Sequence, residues 1–323
     1  MEPRSVMQRE AKTIEDAISM KLTGERVVLA TVLKTWGSSP RPIGAVMAIS
    51  ESKKFIGSVS GGCIEDELIS LIQNEFPTEA ALIEYSSETT RTLPCGGTLL
   101  LLLEPLDSIS ALDEMVKQLK NGISLVRSVT VPALEITWRP AIDDDKTGFS
   151  SATYEILYER SWQILIVGMG ELSQWVYQIA NLMDYEVKVC EPREDYRESW
   201  PFSEGESKIY TDYPDDFVRL AKPDRQTCVL ALTHDPKIDD MAIMEALITD
   251  AFYIGALGSK RTTYNRADRL KTHFGMEDKD IRRLHAPIGV DLNTRKPQEI
   301  ALSIITEITA VRNRVEISSS RLE

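Results

Sequence analysis

The spacing of hydrophobic residues changes near the middle of the chain. Residues 10–23 space their apolar side chains as an amphipathic helix, and the β-branched run Val27–Leu33 predicts a buried strand. Later apolar segments predict, in order, a hairpin, a helix, a central strand, a second helix and an alternating strand: Val46–Ile49 with Phe55–Ser60, Ile64–Gln73, Thr98–Leu103, Ile109–Lys120 and Val126–Trp138. This half therefore predicts a mixed α/β domain.

Beyond residue 160 the pattern becomes regular. Short apolar runs predict strands at Gln163–Val167, Glu186–Cys190, Lys208–Tyr210, Thr227–Leu232 and Phe252–Ile254. Amphipathic segments between and after them predict helices at Glu171–Met183, Asp215–Ala221, Asp239–Thr249 and Ser259–His273, and a closing helix from Pro297. Such alternation predicts a doubly wound parallel sheet. The polar stretch Arg139–Ser151 precedes it, so we place the domains at 1–160 and 161–323.

Composition narrows the function classes. The chain has 323 residues and a net charge of −13, and no basic cluster offsets that charge, which argues against nucleic-acid binding. No apolar stretch approaches the roughly 20 residues of a membrane helix, and the N-terminus is charged, so we expect a cytoplasmic protein that does not bind membranes. The cysteines lack CxxC spacing and the three histidines are far apart, so no metal site is predicted: Cys63, Cys95, Cys190, Cys228, His234, His273 and His285.

The segment ILIVGMGELSQW, residues 164–175, joins an apolar strand to a helix through Gly168 and Gly170. These are the first two glycines of the Rossmann fingerprint, which allow a tight turn and the approach of a pyrophosphate to the helix N-terminus. Ser173 replaces the third. Glu191 ends the next predicted strand, where an acidic side chain accepts from a ribose hydroxyl, whereas Arg193 nearby could instead meet an additional phosphate. The alternative is a plain βα turn without a ligand.

Two more strand ends carry polar residues. His234 and Asp235 follow the strand Thr227–Leu232, at the edge where ligands of open α/β sheets bind. The alternative is that Asp235 caps a turn and that His234 is solvated.

The third strand end leads through a glycine turn into a helix and provides a capping serine and two cations. Backbone amides, a helix N-terminus and two cations would form an anion site from Gly255, Gly258, Ser259, Lys260 and Arg261. Otherwise the segment is a glycine turn with surface charges.

In the N-terminal half the candidate residues lie on loops. In SVSGGCIE, residues 58–65, Gly61 and Gly62 lead into a predicted helix, and Cys63 is expected in its first turn, where the helix dipole favours the thiolate. Cys95 lies beside glycines in PCGG, and Arg41 lies between two prolines as a rigid cation suited to an anion. Inert buried thiols and a surface charge are the alternatives.

Together these residues resemble the XdhC/CoxI family of molybdenum cofactor accessory proteins. The similarity lies in TWGSSPRPIGAVM (35–47), GSVSGGCIEDEL (57–68), LPCGGTLLLLLEPL (93–106), the Rossmann segment, LTHDPKIDD (232–240), YIGALGSKRT (253–262) and HAPIGVDLNTRKPQEIALSI (285–304). It extends over nearly the whole chain. Ser173 in the fingerprint and Glu191 where aspartate is common depart from the usual NAD-binding pattern.

The resemblance implies an N-terminal XdhC/CoxI domain, a C-terminal Rossmann-like domain and a homodimer. It implies a chaperone that protects molybdopterin, in its simple or cytidine dinucleotide form, during sulfuration and inserts it into an apoenzyme of the xanthine dehydrogenase and aldehyde oxidase type. A cysteine desulfurase and a cofactor nucleotidyltransferase are further expected partners. The N-terminal residues expected at the cofactor are Gly61, Gly62, Cys63, Glu65, Cys95, Gly96 and Gly97.

Two other functions stay open at this stage. An NAD(P)-dependent oxidoreductase would use the Rossmann half directly, with His234 as the only good candidate for a positioned acid. A docking protein would have the Rossmann fold but would bind no ligand at the strand ends. We assign no catalytic residue, and the sequence does not name the client enzyme.

Overall fold

The computed structural model describes residues 8–36, 41–86, 97–142, 144–203 and 207–316. The chain divides into two compact units, Met1–Ser161 and Trp162–Glu323. Within the described residues, no helix has the length and apolar character needed to cross a membrane.

The first unit contains a five-stranded antiparallel sheet in the order β3-β2-β1-β5-β4. Its strands are β1 (Val27–Trp36), β2 (Val46–Ser50), β3 (Phe55–Gly57), β4 (Ala81–Tyr85) and β5 (Thr98–Pro105), and its helices are α1 (Gln8–Leu22), α2 (Glu65–Asn74) and α3 (Ser110–Lys120). β1 alternates two sets of apolar residues, with Val28 and Val32 packing on one face and Val27 and Leu29 on the other. α2 covers the first face, and α1 and α3 cover the second, so the central strand is buried on both sides.

A second antiparallel sheet follows in the order β7-β6-β9-β8, formed by β6 (Leu125–Thr130), β7 (Glu135–Pro140), β8 (Gly148–Ser150) and β9 (Thr153–Tyr158). The prediction of one strand over Val126–Trp138 was wrong. The segment is a hairpin that turns at residues 131–134, with Leu134 at φ 55°. Pro132 has no amide hydrogen to donate to a neighbouring strand, which is the physical reason that the strand stops there.

The second unit is a six-stranded parallel sheet in the order β12-β11-β10-β13-β14-β15. Its strands are β10 (Gln163–Val167), β11 (Glu186–Cys190), β12 (Ile209–Tyr210), β13 (Thr227–Ala231), β14 (Tyr253–Ala256) and β15 (Leu284–His285). Counted within this unit the order is 3-2-1-4-5-6, which is the Rossmann topology. The predicted fold class, a mixed α/β domain followed by a Rossmann-like parallel sheet, is confirmed.

Helices cover both faces of the parallel sheet. They are α4 (Glu171–Leu182), α5 (Glu194–Arg197), α6 (Pro214–Ala221), α7 (Pro236–Leu247), α8 (Lys260–Phe274), α9 (Asp278–Ile281) and α10 (Pro297–Asn313). α4 and α10 pack on one face, and α6, α7 and α8 on the other. Six elements had no counterpart in the sequence-based prediction, namely β4, β8, β9, β15, α5 and α9, and four of these six have only two to four residues.

Candidate functional site

The carboxyl ends of the four central parallel strands lie side by side. The register pairs Val167 with Cys190 and with Ala231, and Ala231 with Ala256, so β10, β11, β13 and β14 end at the same level. The loops after them therefore meet at the edge of the sheet where open α/β folds bind ligands. We call this edge the crevice.

The two fingerprint glycines of the crevice have different roles. Gly168 has φ 111°, and a Cβ there would lie 2.8 Å from Thr233 Cγ2 and 3.0 Å from the carbonyl carbon of Leu232. Gly170 has φ −76° and ψ 175°, which any residue adopts, and a Cβ there would meet nothing within 4 Å. The fold therefore requires glycine at 168, whereas Gly170 borders open space before α4.

The N-terminus of α4 lacks a side-chain cap. Gly170 is its N-cap residue and provides no acceptor for the amides of the first turn. In contrast, Asp235 accepts from the Lys237 amide at the start of α7, and Ser259 accepts from the Thr262 amide at the start of α8. An external anion would satisfy the first-turn amides of α4. Ser173 in this turn is buried, and its Oγ has no hydrogen-bond partner among the described residues.

Glu191 lies fully buried at the end of β11. Its carboxylate accepts from the Met169 amide at 3.2 Å and the Arg193 amide at 3.1 Å, and from Nε and Nη2 of Arg193, both at 2.8 Å. Arg193 also lies over the ring of Tyr196, 3.7 Å from its centroid. The hydrogen bonds to Glu191 raise the pKa of Arg193 above its ordinary value, and Asp235 adds a smaller electrostatic contribution. The guanidinium, and not the carboxylate, is therefore presented to solvent.

The residues after β13 match the interpretation without a ligand contact, in which Asp235 is a cap and His234 is solvated. Asp235 caps α7, and His234 is exposed. His234 nevertheless has φ 66°, a left-handed conformation that is uncommon for a residue with a side chain and costs about 1 kcal/mol or more. The backbone at this point is held by contacts on either side of it, through Thr233 and Asp235.

Of the residues after β14 that were predicted to form an anion site, some have structural roles and two do not. A Cβ at Gly255 would lie 2.4 Å from Ile288 Cδ1, and one at Gly258, which has φ 153°, would lie 3.2 Å from Thr262 Cβ. Both glycines therefore serve packing, and Ser259 serves as a cap. Lys260 and Arg261 are exposed and form no ion pair with another described residue. Among the residues predicted to form the anion site, Lys260 and Arg261 are therefore the two whose charged side chains are available to a ligand.

A buried ionic network that the sequence interpretation missed braces the two loops. Arg266, nearly fully buried, pairs with Asp239 at 3.1 Å and Asp240 at 2.9 Å, and donates to the Leu257 carbonyl after β14. Asp239 in turn accepts from the amide and hydroxyl of Thr233 after β13. The adjacent aspartates of the DD pair were the available signal, because a charged pair on the buried face of a helix requires a partner.

A second missed group anchors the loop after β15. Glu307 of α10 accepts from the Tyr253 hydroxyl at 2.6 Å and the Gly289 amide at 2.7 Å, and it lies 2.9 Å from His285 Nδ1. Its burial opposes ionisation, but the hydrogen bonds from His285 and Tyr253 outweigh it and lower the pKa of the carboxyl. The HAPIG segment is therefore held against α10.

In the first unit, the loop of residues 58–64 folds around Glu65. The buried carboxylate accepts from the amides of Val59, Ser60, Gly62 and Ile64 and from the Ser58 and Ser60 hydroxyls. Burial opposes ionisation, yet the Ser58 and Ser60 hydrogen bonds lower the pKa of Glu65 to about 2. The remaining amides, of Gly61 and Cys63, donate to serine hydroxyls of the same loop. No amide of residues 59–64 is left for a ligand, so Glu65 organises this loop internally.

The other N-terminal candidates fall into three groups. Cys63 is half-buried with a free thiol, and it precedes Ile64, the N-cap of α2, so its predicted place in the first helical turn was wrong. Arg41 pairs with Glu10 at 2.6 Å and donates to the Ser58 carbonyl, which ties the loop to α1. Gly97 is buried before β5, whereas Cys95 and Gly96 lie outside the described residues. The described chain contains no cluster of three or more potential metal ligands.

Comparison with known proteins gives the chain its family. The model of the XdhC Rossmann domain matches residues 164–308, and the model of the XdhC and CoxI family matches residues 21–86. The chain belongs to the XdhC/CoxI family.

Individual relatives agree with this family over most of the chain. The molybdenum cofactor insertion chaperone PaoD of Escherichia coli is 26% identical over 94% of this chain and 89% of its own. A protein of Bacillus subtilis described as a probable xanthine dehydrogenase subunit is 24% identical over 91% of this chain and 95% of its own. A crystal structure of a xanthine dehydrogenase from Bacillus halodurans, at 23% identity, has the same fold with a TM-score of 0.72 over 95% of this chain and 98% of that one.

The two family matches cover most of the candidate residues. The XdhC Rossmann match spans the ends of all six strands of the parallel sheet and both missed networks. The XdhC and CoxI match includes Arg41 and the loop around Glu65, and it ends before Cys95.

Proposed function

We propose that this XdhC/CoxI protein is a molybdenum cofactor chaperone. It binds molybdopterin as cargo and passes it to an apoenzyme of the xanthine dehydrogenase type. The similarity to a molybdenum cofactor insertion chaperone over nearly the whole chain supports the cargo, and the similarity to a probable xanthine dehydrogenase subunit supports the client class.

The single observation that carries the proposal is the uncapped start of α4. Gly170 borders open space, and α4 is the helix that follows the first strand of the Rossmann sheet, the usual place of a phosphate. Molybdopterin carries a phosphate, and its dinucleotide form carries a pyrophosphate. Lys260 and Arg261 follow β14, two strands from β10 in the same sheet, and are available to neutralise such a group.

The finer parts of the proposal concern the cargo and its handling. We propose that the cargo is molybdopterin or its cytidine dinucleotide, protected during sulfuration. We further propose that the protein is a cytoplasmic homodimer that interacts with a cysteine desulfurase and a cofactor nucleotidyltransferase. Turnover of NAD(P) is the competing function, but the buried Glu191 does not favour the usual binding of NAD through its ribose diol.

The test uses Gly170→Asp with Gly170→Ala as its control. Aspartate is a good N-cap residue, so its carboxylate should occupy the first-turn amides of α4, at a gain over glycine of only about a few tenths of a kcal/mol in helix stability. Alanine adds a Cβ to the same open space without the charge. We expect anaerobically purified wild-type protein to retain molybdopterin, the alanine variant to retain part of it, and the aspartate variant to lose it while keeping its melting temperature. Retention by the aspartate variant, or bound NAD with turnover in place of pterin, contradicts the proposal.

A further inference from the structure

The residues at the end of β11 form a subsite whose chemistry differs from that of an NAD site. In Rossmann proteins that bind NAD, an acidic residue at this point accepts hydrogen bonds from the ribose diol. Here the acidic residue is Glu191, and no part of it is exposed to solvent.

The hydrogen-bonding capacity of Glu191 is already used. A carboxylate has about four lone pairs available to donors. Met169 and Arg193 supply four donors to it, two backbone amides and two guanidinium nitrogens, at 2.8 to 3.2 Å. A ribose diol could bind Glu191 only by displacing Arg193, which leaves a buried ion pair broken.

Arg193 is held as a donor toward the crevice. Its Nε and Nη2 bind Glu191, its guanidinium stacks 3.7 Å from the centroid of Tyr196, and Nη1 binds no other described residue. Asp235, which follows β13 two strands away at the same edge of the sheet, adds a small electrostatic contribution that raises the pKa of Arg193. Arg197 donates to the Glu191 and Pro192 carbonyls and fixes the backbone of the segment.

We propose that the end of β11 is an acceptor-binding subsite, in which Arg193 binds a phosphoryl or ring-carbonyl oxygen of the ligand and a ribose diol is rejected. Glu191 and Tyr196 are positioning residues that keep the guanidinium in place. The proposal deepens the proposed function, on which it rests for a phosphorylated ligand in the crevice. It specifies which nucleotides and pterins the crevice accepts.

Three probes distinguish the two sources of the acceptor: adenosine diphosphate, the same nucleotide with an added ribose 2′-phosphate, and cytidine diphosphate. Titration calorimetry with the full chain measures their affinities. Wild-type protein should bind either the 2′-phosphorylated nucleotide or cytidine diphosphate about tenfold or more tightly than adenosine diphosphate, as one charge-assisted hydrogen bond provides. A gain from the added phosphate identifies a phosphoryl group, and a gain from cytosine identifies a ring carbonyl.

Variants then assign the preference to Arg193. Arg193→Met should abolish the preference and strengthen adenosine diphosphate binding, because Glu191 becomes free to accept the diol. If that variant fails to fold, Glu191→Gln combined with Arg193→Met removes the unpaired charge and should show no preference. Arg193→Lys should keep part of a phosphate preference and lose a carbonyl preference. Arg219→Met, at an exposed arginine of α6, is the matched control and should leave the ratio of affinities unchanged.

Equal or tighter binding of adenosine diphosphate by the wild type, no binding of any probe, or an unchanged ratio in both variants lacking Arg193 would overturn the proposal. Its failure is distinct from failure of the proposed function. A chain that shows the preference but retains no molybdopterin contradicts only the proposed function, whereas a chain that retains molybdopterin without the preference contradicts only the subsite.

Discussion

Glu65→Gln tests how the glycine loop of the first unit is held. The carboxylate binds two backbone amides through each oxygen, those of Val59 and Ser60 through Oε1 and those of Gly62 and Ile64 through Oε2. A glutamine side chain replaces one oxygen with an NH2 group, so in either orientation it points a donor at two amide donors. Each buried donor left without an acceptor costs about 1–3 kcal/mol.

The lowered pKa of Glu65 reflects these same loop hydrogen bonds and gives their approximate combined magnitude. Lowering the Glu65 pKa from 4.5 to about 2 corresponds to about 3 kcal/mol of stabilisation by the ionised form. Because the folded pKa is the lower one, this stabilisation is fully present above about pH 4.5 and is lost as the pH falls toward 2. We therefore expect the glutamine variant to lose about 3 kcal/mol of stability at neutral pH.

Amide hydrogen exchange of peptides covering residues 58–68 measures this local loss directly. We expect Glu65→Gln to reduce protection of the loop amides by about a hundredfold at pH 7, the factor that corresponds to about 3 kcal/mol. Asp66→Asn is the matched control, because it removes an exposed carboxylate from the same helical turn and should change protection little. Unchanged exchange in the glutamine variant would refute the role assigned to Glu65.

Three further predictions concern stability and thiol access. Gly168→Ala should lower the free energy of unfolding by about 2 kcal/mol or more, because of its positive φ and a 2.8 Å contact, whereas Gly170→Ala should change it by less than about 1 kcal/mol in urea denaturation. Arg266→Met should cost about 3–5 kcal/mol, since it removes the ion-pair partner of the buried Asp239 and one of the two arginines that pair with Asp240, whereas Arg219→Met at the surface should cost under about 1 kcal/mol. In a Cys95→Ser background, iodoacetamide should label Cys63 first by mass spectrometry, because the other two cysteines are buried; equal labelling of all three would contradict the structure.

The Rossmann half was predictable because its signals are local. Buried parallel strands are continuous apolar runs, and the βα turns that join them require glycine or a cap, as Gly168 and Ser259 illustrate. β15 escaped detection because two residues carry no periodicity. The hairpin around Pro132 was missed although the proline indicated it.

The candidate site was harder to predict because it depends on which hydrogen-bond donors contact which acceptors in the folded chain. The sequence places Glu65 in the first turn of a helix and Glu191 at a strand end, where an acidic residue is also a plausible ligand contact. Only the tertiary turn of residues 58–64 shows that Glu65 is fully used within the loop. In the same way, Arg193 lies two residues from Glu191, but its position over Tyr196 is not encoded in the spacing.

Transfer of the cargo tests the central claim most directly. The chain is loaded anaerobically with molybdopterin, freed of excess by gel filtration and mixed with an apoenzyme of the xanthine dehydrogenase type, and the activity regained is compared with the pterin supplied. The account predicts that wild-type protein restores activity in proportion to its bound pterin and that Gly170→Asp restores none. Equal restoration by Gly170→Asp, or none by the loaded wild type, would contradict it.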